Sequence, residues 1–431
     1  MNPLARELNQ TLEGSAAARL FSDFGKRFYF PQGIAAQSAE AKQQAYRFNA
    51  TIGMAFHKNQ PVILPPIKSA LPDLDSGDAV AYAPPSGDPE LRNMWKELIS
   101  EKNVPIEKNR ISMPMVVSGL TNGIMNVADL FADPGDSVVC PDMFWGNYRL
   151  IFEARKQAII ETFPFFTKNG GLNIEGCRET IEEKAKNGKV ILLLNFPNNP
   201  TGYSPTTREA QQLSKAIHAC AEEGITVLAV IDDAYFGLFY DENTYKNSLF
   251  ADLHDLHENV LAVKVDGATK EDYVWGFRIG FVTFGCRGMS EDQYSALETK
   301  LKGALRSSVS NSSRPAQSIL KQAIKNETYR REKQNIFNML QARYHKVREI
   351  LEKRTTGKAL KPLPFNSGYF MSFRFEGGSA EALRKELLLK EGIGTISIQD
   401  TYLRVAYSSV DLEHIEELFE TIFATADQLS S

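Results

Sequence analysis

Short apolar runs recur through the middle of the chain with little polar alternation. They lie at Val138–Cys140, Val190–Asn195, Thr226–Asp232, Val260–Asp266 and Ile279–Phe284. They are rich in Val, Ile and Leu, which predicts strands covered on both faces. Between the second and third runs stands PTTREAQQLSKAIHACAEEG, where Leu213, Ile217 and Cys220 fall at helical spacing and Gly224 is placed to end the helix. A strand–helix–strand unit over about 190–232 follows, and with it an α/β fold built on a mostly parallel sheet covered by helices. Past residue 325 the character changes. TYRREKQNIFNMLQARYHKVREILEK predicts a long amphipathic helix, NSGYFMSFRF a strand, and the stretch from about Asp411 a final helix. This divides the chain into a large unit, 62–325, and a smaller α+β unit made of 326–431 with an N-terminal arm, 1–61.

The 431-residue length suits two such units. A net charge of -4 gives no electrostatic reason to expect nucleic acid or an anionic membrane as partner. No apolar run is long enough to span a bilayer, and the N-terminus shows no apolar signal core. Cys140, Cys177, Cys220 and Cys286 are scattered without a CxxC pair, the pattern of reduced thiols in a cytoplasmic protein. His254 and His257, in LHDLHEN, could suggest a metal, but no third ligand accompanies them and a solvated pair is expected.

The segments that carry chemistry lie at strand ends. In VDGATKEDYVWGFRIGF, Lys270 stands just past an apolar run and Arg278 eight residues later. A lysine desolvated there favours its neutral, nucleophilic form and can form an imine with an aldehyde cofactor. IDDAYFGLF puts acids at a strand's C-terminal end, where open α/β sheets bind ligands. Asp232 or Asp233 could keep a pyridine nitrogen protonated, but neighbours in an extended chain point opposite ways, so one of them faces the ring. NFPNNPTGYSPT is a double-proline turn in which Asn199 could hydrogen-bond a ring hydroxyl or hold the turn. VVSGLTNGIMNVADLF opens a helix with small polar residues; its free N–H groups, with Ser118 or Thr121, suit a phosphate. YLRVAY sets Arg404 in an apolar stretch, where a guanidinium needs either an internal acid or a ligand carboxylate.

Taken in their order along the chain, from about residue 49 to 408, these segments resemble the class I/II aminotransferases of the aspartate aminotransferase branch. NNPTG, DxAY and Lys–x7–Arg are the specific parts. The resemblance implies pyridoxal 5'-phosphate held as a Schiff base on Lys270, which then shuttles the proton. It implies that Asp232 pairs with the pyridinium, that Tyr235 and Asn199 contact the ring hydroxyl, and that Arg278 with Ser118, Gly119, Leu120 and Thr121 binds the phosphate. Trp145, in FWGNYRLIF, is similar to the family's stacking tryptophan. Tyr82 resembles a tyrosine that reaches the phosphate of a neighbouring subunit. Arg404 would hold the substrate α-carboxylate, and Ile52 and Gly53 would line the substrate pocket. One departure stands out. Where the family has a hydroxyl three residues before the lysine, this chain has Gly267, with Thr269 and Lys264 as candidate replacements.

The expected activity is ping-pong transamination between an L-amino acid and a 2-oxo acid. Arg306, followed by Ser310 and Asn311, resembles the arginine that dicarboxylate-specific members extend from the partner subunit, so aspartate, glutamate and 2-oxoglutarate are expected substrates of a homodimer. If Arg306 turns to water, aromatic or aliphatic amino acids become the alternative, and Arg314 competes for the assignment. A lyase or synthase on the same cofactor frame is the nearest rival. A transcription regulator is disfavoured because the fifty residues before the matching region show no DNA-binding pattern.

Overall fold

Seven strands form the central sheet of this computed structural model. They are β1 (Met115–Val117), β2 (Ser137–Pro141), β3 (Ile159–Phe163), β4 (Lys189–Asn195), β5 (Thr226–Asp232), β6 (Val260–Asp266) and β7 (Gly280–Gly285), in the spatial order β1-β7-β6-β5-β4-β2-β3. Residues 1–11, 26–27, 33–58, 60–71, 73–104, 106–185 and 187–430 are described; the remainder of the expected N-terminal arm, 12–25, 28–32 and 59, lies outside them. All pairings from β6 through β3 are parallel, and β7 runs antiparallel to both β6 and β1. The apolar run at 279–284 signalled a strand but not its direction. Two strands went unread for physical reasons. β1 has three residues, and β3 is an edge strand whose exposed and half-buried positions break the apolar run.

The helices that position the site are α1 (Ile34–Gln44), α2 (Pro89–Lys102), α3 (Leu120–Phe131), α4 (Thr207–Glu222), α5 (Ala268–Glu271), α6 (Glu291–Ser308), α7 (Tyr329–Lys353) and α8 (Ile415–Ser430). α4 is the helix expected between β4 and β5. Thr206 and Glu209 form a reciprocal capping box at its start, Leu213, Ile217 and Cys220 are buried, and Gly224 lies past its end at φ +90°. No helix among the described residues is long and apolar enough to cross a membrane.

A second, antiparallel sheet of β8 (Leu360–Pro362), β9 (Met371–Phe375), β10 (Ile396–Ile398) and β11 (Tyr402–Val405) has the order β8-β9-β11-β10. α7 and α8 pack together beside it. The N-terminal segment joins this region. Phe48–Asn49 pairs in parallel with Ile393–Gly394, and the Gln37 side chain donates to the Ser397 carbonyl at 3.0 Å and accepts from its N–H at 2.7 Å. That amide satisfies the open edge of β10 as a neighbouring strand would.

The NNPTG turn stitches the two sheets together. The Gly202 carbonyl accepts the N–H groups of Asn366 and Ser367, both at 2.9 Å, just upstream of β9. Gly202 has φ +74°, and a Cβ there would overlap the Phe370 carbonyl oxygen. Strain and overlap therefore act together, and Gly202→Ala is expected to cost at least about 2 kcal/mol. Chemical denaturation would read this; a loss below about 0.5 kcal/mol would show that the turn yields freely.

Candidate active site

Strand register brings the site together. Asn195 on β4 pairs opposite Asp232 on β5, Asp232 stands opposite Val265 on β6, and Lys270 follows on α5, so the C-terminal ends of three parallel strands converge. There a cavity of about 190 Å³ is lined by Leu120, Thr121, Trp145, Asn195, Asn199, Asp232, Ala234, Tyr235, Thr269, Lys270 and Arg278.

Asp232, not Asp233, faces this space. The Tyr148 hydroxyl donates to Asp232 Oδ2 at 2.5 Å, the Ala234 N–H donates to Oδ1 at 3.1 Å, and the Asn195 amide donates to the Asp232 carbonyl at 2.8 Å. Burial pushes the Asp232 carboxyl upward; Tyr148, Lys270 and the Ala234 N–H pull it partly back. Asp233 points the other way, into a buried cluster with Ser248 and Lys264. Lys264 also lies 3.5 Å from Asp266, whose two oxygens accept the Trp95 indole N–H at 3.2 Å.

Lys270 is half-buried, with its Nζ 4.8 Å from the centroid of the Tyr235 ring and no carboxylate within 4.0 Å among the described residues. Desolvation lowers its pKa to about 8, against a raising pull from Asp232 and with a further lowering from Arg278. Such a lysine is largely a neutral amine at mildly alkaline pH, as a nucleophile needs to be.

The opposite end of the cavity is cationic. α3 starts at Leu120 after Gly119, and no side chain caps it. Its first-turn N–H groups and the guanidinium of Arg278 form an anion cradle. Gly119 has φ +81°, and a Cβ would overlap the Arg278 guanidinium, so the close approach requires glycine. Arg278 itself adopts φ +53°. The Ser118 side chain is not on the wall; its hydroxyl donates to Ser312 Oγ at 3.3 Å. The Gly267 departure has a steric basis, since a Cβ there would come within 2.6 Å of the Ile279 carbonyl oxygen. Of the two candidate replacements, Lys264 is committed to the Asp233–Asp266 cluster, whereas Thr269 lines the cavity and donates to the Ile279 carbonyl at 3.2 Å.

Arg404 lies behind Asn199. It donates to Asn199 Oδ1 and to the Thr51 carbonyl, each at 2.9 Å, and stacks 4.2 Å from the centroid of the Phe370 ring. It is buried, forms no ion pair within 4.0 Å among the described residues, and its Nε has no partner. Desolvation lowers its pKa to about 10. An internal salt bridge is thus not its role, and a guanidinium left this way suits an anionic ligand. Gly53 sits beside it: a Cβ there would be 3.3 Å from Phe370 and 3.5 Å from the Tyr235 hydroxyl.

Other residues lie apart. Ile52 is half-buried and off the cavity wall. Tyr82 is 91% exposed, and Arg306, at the exposed end of α6, donates to Ser310. Arg314 is spent on Asp78 at 2.6 Å and Asp88 at 3.0 Å. His254, expected to be solvated, is buried with Nδ1 2.9 Å from the Ala251 carbonyl. The sequence reading missed Tyr148, Asn195 and Phe370. Tyr148 stands three residues after Trp145 and packs edge-on against it at 5.4 Å, and that spacing was the available signal.

Comparison with known proteins places this arrangement. The family described as aminotransferase class I and II matches residues 52–422. The aspartate/prephenate aminotransferase of Thermus thermophilus is 24% identical over 348 residues, covering 79% of this chain and 81% of that protein. The mitochondrial aspartate aminotransferase of Schizosaccharomyces pombe is 25% identical over 310 residues, covering 69% and 68%. A crystal structure of an aminotransferase from Anaerococcus prevotii superposes with a TM-score of 0.81 at 26% identity, over 93% of this chain and 98% of that one.

The lowered Lys270 pKa has a direct readout. Because the neutral amine prevails above about pH 8, reductive methylation of Lys270 followed by mass spectrometry should reach half its maximal rate there. Asp232→Asn removes a raising influence and should move that midpoint lower. A wild-type midpoint near about 10 would contradict the desolvated setting.

Proposed function

The chain belongs to the class I and II aminotransferases, and on that premise we propose that it transfers amino groups between an L-amino acid and a 2-oxo acid using pyridoxal 5'-phosphate bound at Lys270. The observation that carries this reading is a single cavity with a desolvated lysine, a buried carboxylate and an uncapped helix start beside Arg278. Those groups fit the cofactor's aldehyde, pyridine nitrogen and phosphate in turn. Lys270 would hold the aldehyde carbon, Asp232 the ring nitrogen, and Leu120, Thr121, Thr269 and Arg278 the phosphate, with Trp145 over the ring. When bound, the cofactor supplies an electron sink that acidifies the substrate Cα–H.

The chain's own groups do the remainder. Asp232 carries the negative charge that keeps a ring nitrogen protonated, and the Tyr148 hydroxyl fixes its orientation. Arg404 occupies Oδ1 of Asn199, so the Asn199 amide nitrogen is left to donate to a ring oxygen beside Tyr235. The unpartnered Nε of Arg404 is available to the substrate α-carboxylate, which would align the Cα–H with Lys270. Once the incoming amino group has taken its place on the cofactor, Lys270 Nζ would be free to take the substrate Cα proton and hold it for redelivery. Two half-reactions alternate at one site, which gives ping-pong kinetics.

We further propose a homodimer with a preference for dicarboxylic substrates. Ile63, Leu71, Val80 and Tyr82 are all exposed, Val80 and Tyr82 at 83% and 91%. An apolar stretch of this kind fits a subunit contact. Arg306, turned from its own cavity, could reach the partner's site from such an interface. The domain boundaries at 62–325 and at 1–61 with 326–431 are part of this reading, supported by the two separate sheets and the pairing of Phe48–Asn49 with Ile393–Gly394. Four free cysteines fit a cytoplasmic setting.

Mixing the loaded enzyme with one amino acid alone should release one equivalent of oxo acid while the amino group stays on the protein. Lys270→Ala should lower kcat by at least about 10⁴-fold. Oxo acid released with free ammonia would instead indicate a lyase. Arg306→Ala should lower kcat/KM for aspartate at least about 10-fold relative to phenylalanine; an unchanged ratio would remove Arg306 from substrate recognition.

A further inference from the structure

A second cavity, about 500 Å³, is walled by residues that directly follow the two principal site residues: Phe236 to Phe239 after Tyr235, and Glu271 after Lys270. α2 contributes Leu98 and Lys102, and α7 contributes Tyr329, Lys333 and Phe337 among others. Neither Lys270 nor Asp232 reaches it, so it is distinct from the site above. Its volume falls in the range of about 300–1,000 Å³ typical of small-molecule pockets.

The lining is aromatic and the rim is basic. Leu98, Phe236, Phe239 and Tyr329 are buried, and Phe337 is half-buried. Four cations border the cavity against a single acid, Glu271. Three of the four are neutralised. Lys102 and Lys333 both bind Glu271, with Lys333 also 3.0 Å from Asp272, and Arg330 pairs with Glu101 at 2.7 Å. Lys246 is the exception. It hydrogen-bonds the Asp241 backbone carbonyl at 2.5 Å, lies 6.0 Å from the Phe239 ring centroid, and has no carboxylate within 4.0 Å among the described residues. With Asp241 and Glu242 acting on it only from beyond ion-pair distance, the Lys246 ammonium beside the aromatic lining disfavours a cation. The apolar walls disfavour a bare inorganic anion.

We propose that this cavity binds a small aromatic monocarboxylate, its ring against Phe236, Phe239 and Phe337 and its carboxylate on Lys246. The bound molecule would touch the short helix that carries Lys270. The Tyr369 hydroxyl donates to the Lys270 carbonyl at 3.4 Å, and Glu271 is gripped from both sides, so the helix borders both cavities. A ligand of this class would therefore contact the helix that carries Lys270 without occupying the substrate site.

Calorimetric titration of the cofactor-loaded protein with naphthylacetate tests the idea, since that probe has neither an amino nor an oxo group to react. The Arg404→Gln background removes the guanidinium proposed to hold substrate. Binding should persist in it, weaken at least about 10-fold on adding Lys246→Met, and vanish on adding Gln334→Trp, which fills the chamber. Should Arg404→Gln fail to fold, the same additions are made to the wild type, where one binding event should respond and any event at the substrate site should not. Naphthylacetamide, lacking the charge, should bind at least about 10-fold more weakly. Absence of binding in the Arg404→Gln protein, or an affinity indifferent to Lys246→Met and Gln334→Trp, would overturn the proposal. Equal affinity for acid and amide would overturn the assigned role of Lys246.

Discussion

Asp232 at the end of β5, Lys270 on α5 and Arg404 within β11 have charges only partly compensated, and the rest of the site is arranged around that incompleteness. Each has been taken out of water, so the pKa of each is moved by burial first and by neighbours second. None of the three has an oppositely charged side chain within 4.0 Å among the described residues. A folded protein tolerates such a deficit only when the remaining hydrogen bonds hold the groups in place. Here Tyr148, Ala234, Asn199 and the Thr51 carbonyl supply those bonds. The arrangement leaves charge available to a ligand that brings the complementary groups.

The charge cluster behind the cavity follows the opposite rule. Asp233, Lys264 and Asp266 are equally buried but bind one another, with Trp95 and Ser248 completing the set. Adjacent carboxylates at one strand end thus have opposite fates. Asp233 is consumed inside the protein, and its anchorage turns Asp232 outward to the cavity. A paired acid beside a nearly unpaired one is how a strand end can be rigid and reactive at once.

Much of this was legible in the chain. The buried strands β4, β5 and β6 announced themselves as apolar runs with little polar alternation, and α4 by its period and its terminal glycine. Lys270, Asp232, Asn199, Tyr235, Trp145, Thr121 and Arg278 were named from their motifs, and the structure gathers all seven around one cavity. What stayed hidden depends on contacts between distant segments. Nothing local to Tyr148 says that its hydroxyl meets Asp232, 84 positions away. The choice between Thr269 and Lys264 turned on tertiary contacts: Lys264, on β6, is taken up by Asp233, whereas Thr269, beyond the strand on α5, lines the cavity. Tyr82 and Arg306 lie off this cavity, and the roles that the resemblance implies for them involve a second subunit, which a single chain does not display.

The hydrogen bond from Arg404 to Asn199 has a consequence for how such an enzyme can diversify. One side chain is proposed to grip the substrate and the other to touch the cofactor, yet a single contact joins them. Replacing the arginine to admit a different substrate would release the amide to rotate, so its donor end need no longer face the ring. Changes in what the enzyme accepts are thereby tied to changes in how its prosthetic group is tuned, and the two mutations should show strong epistasis rather than add. Lineages that alter their substrate range would find easier routes at positions outside this pair.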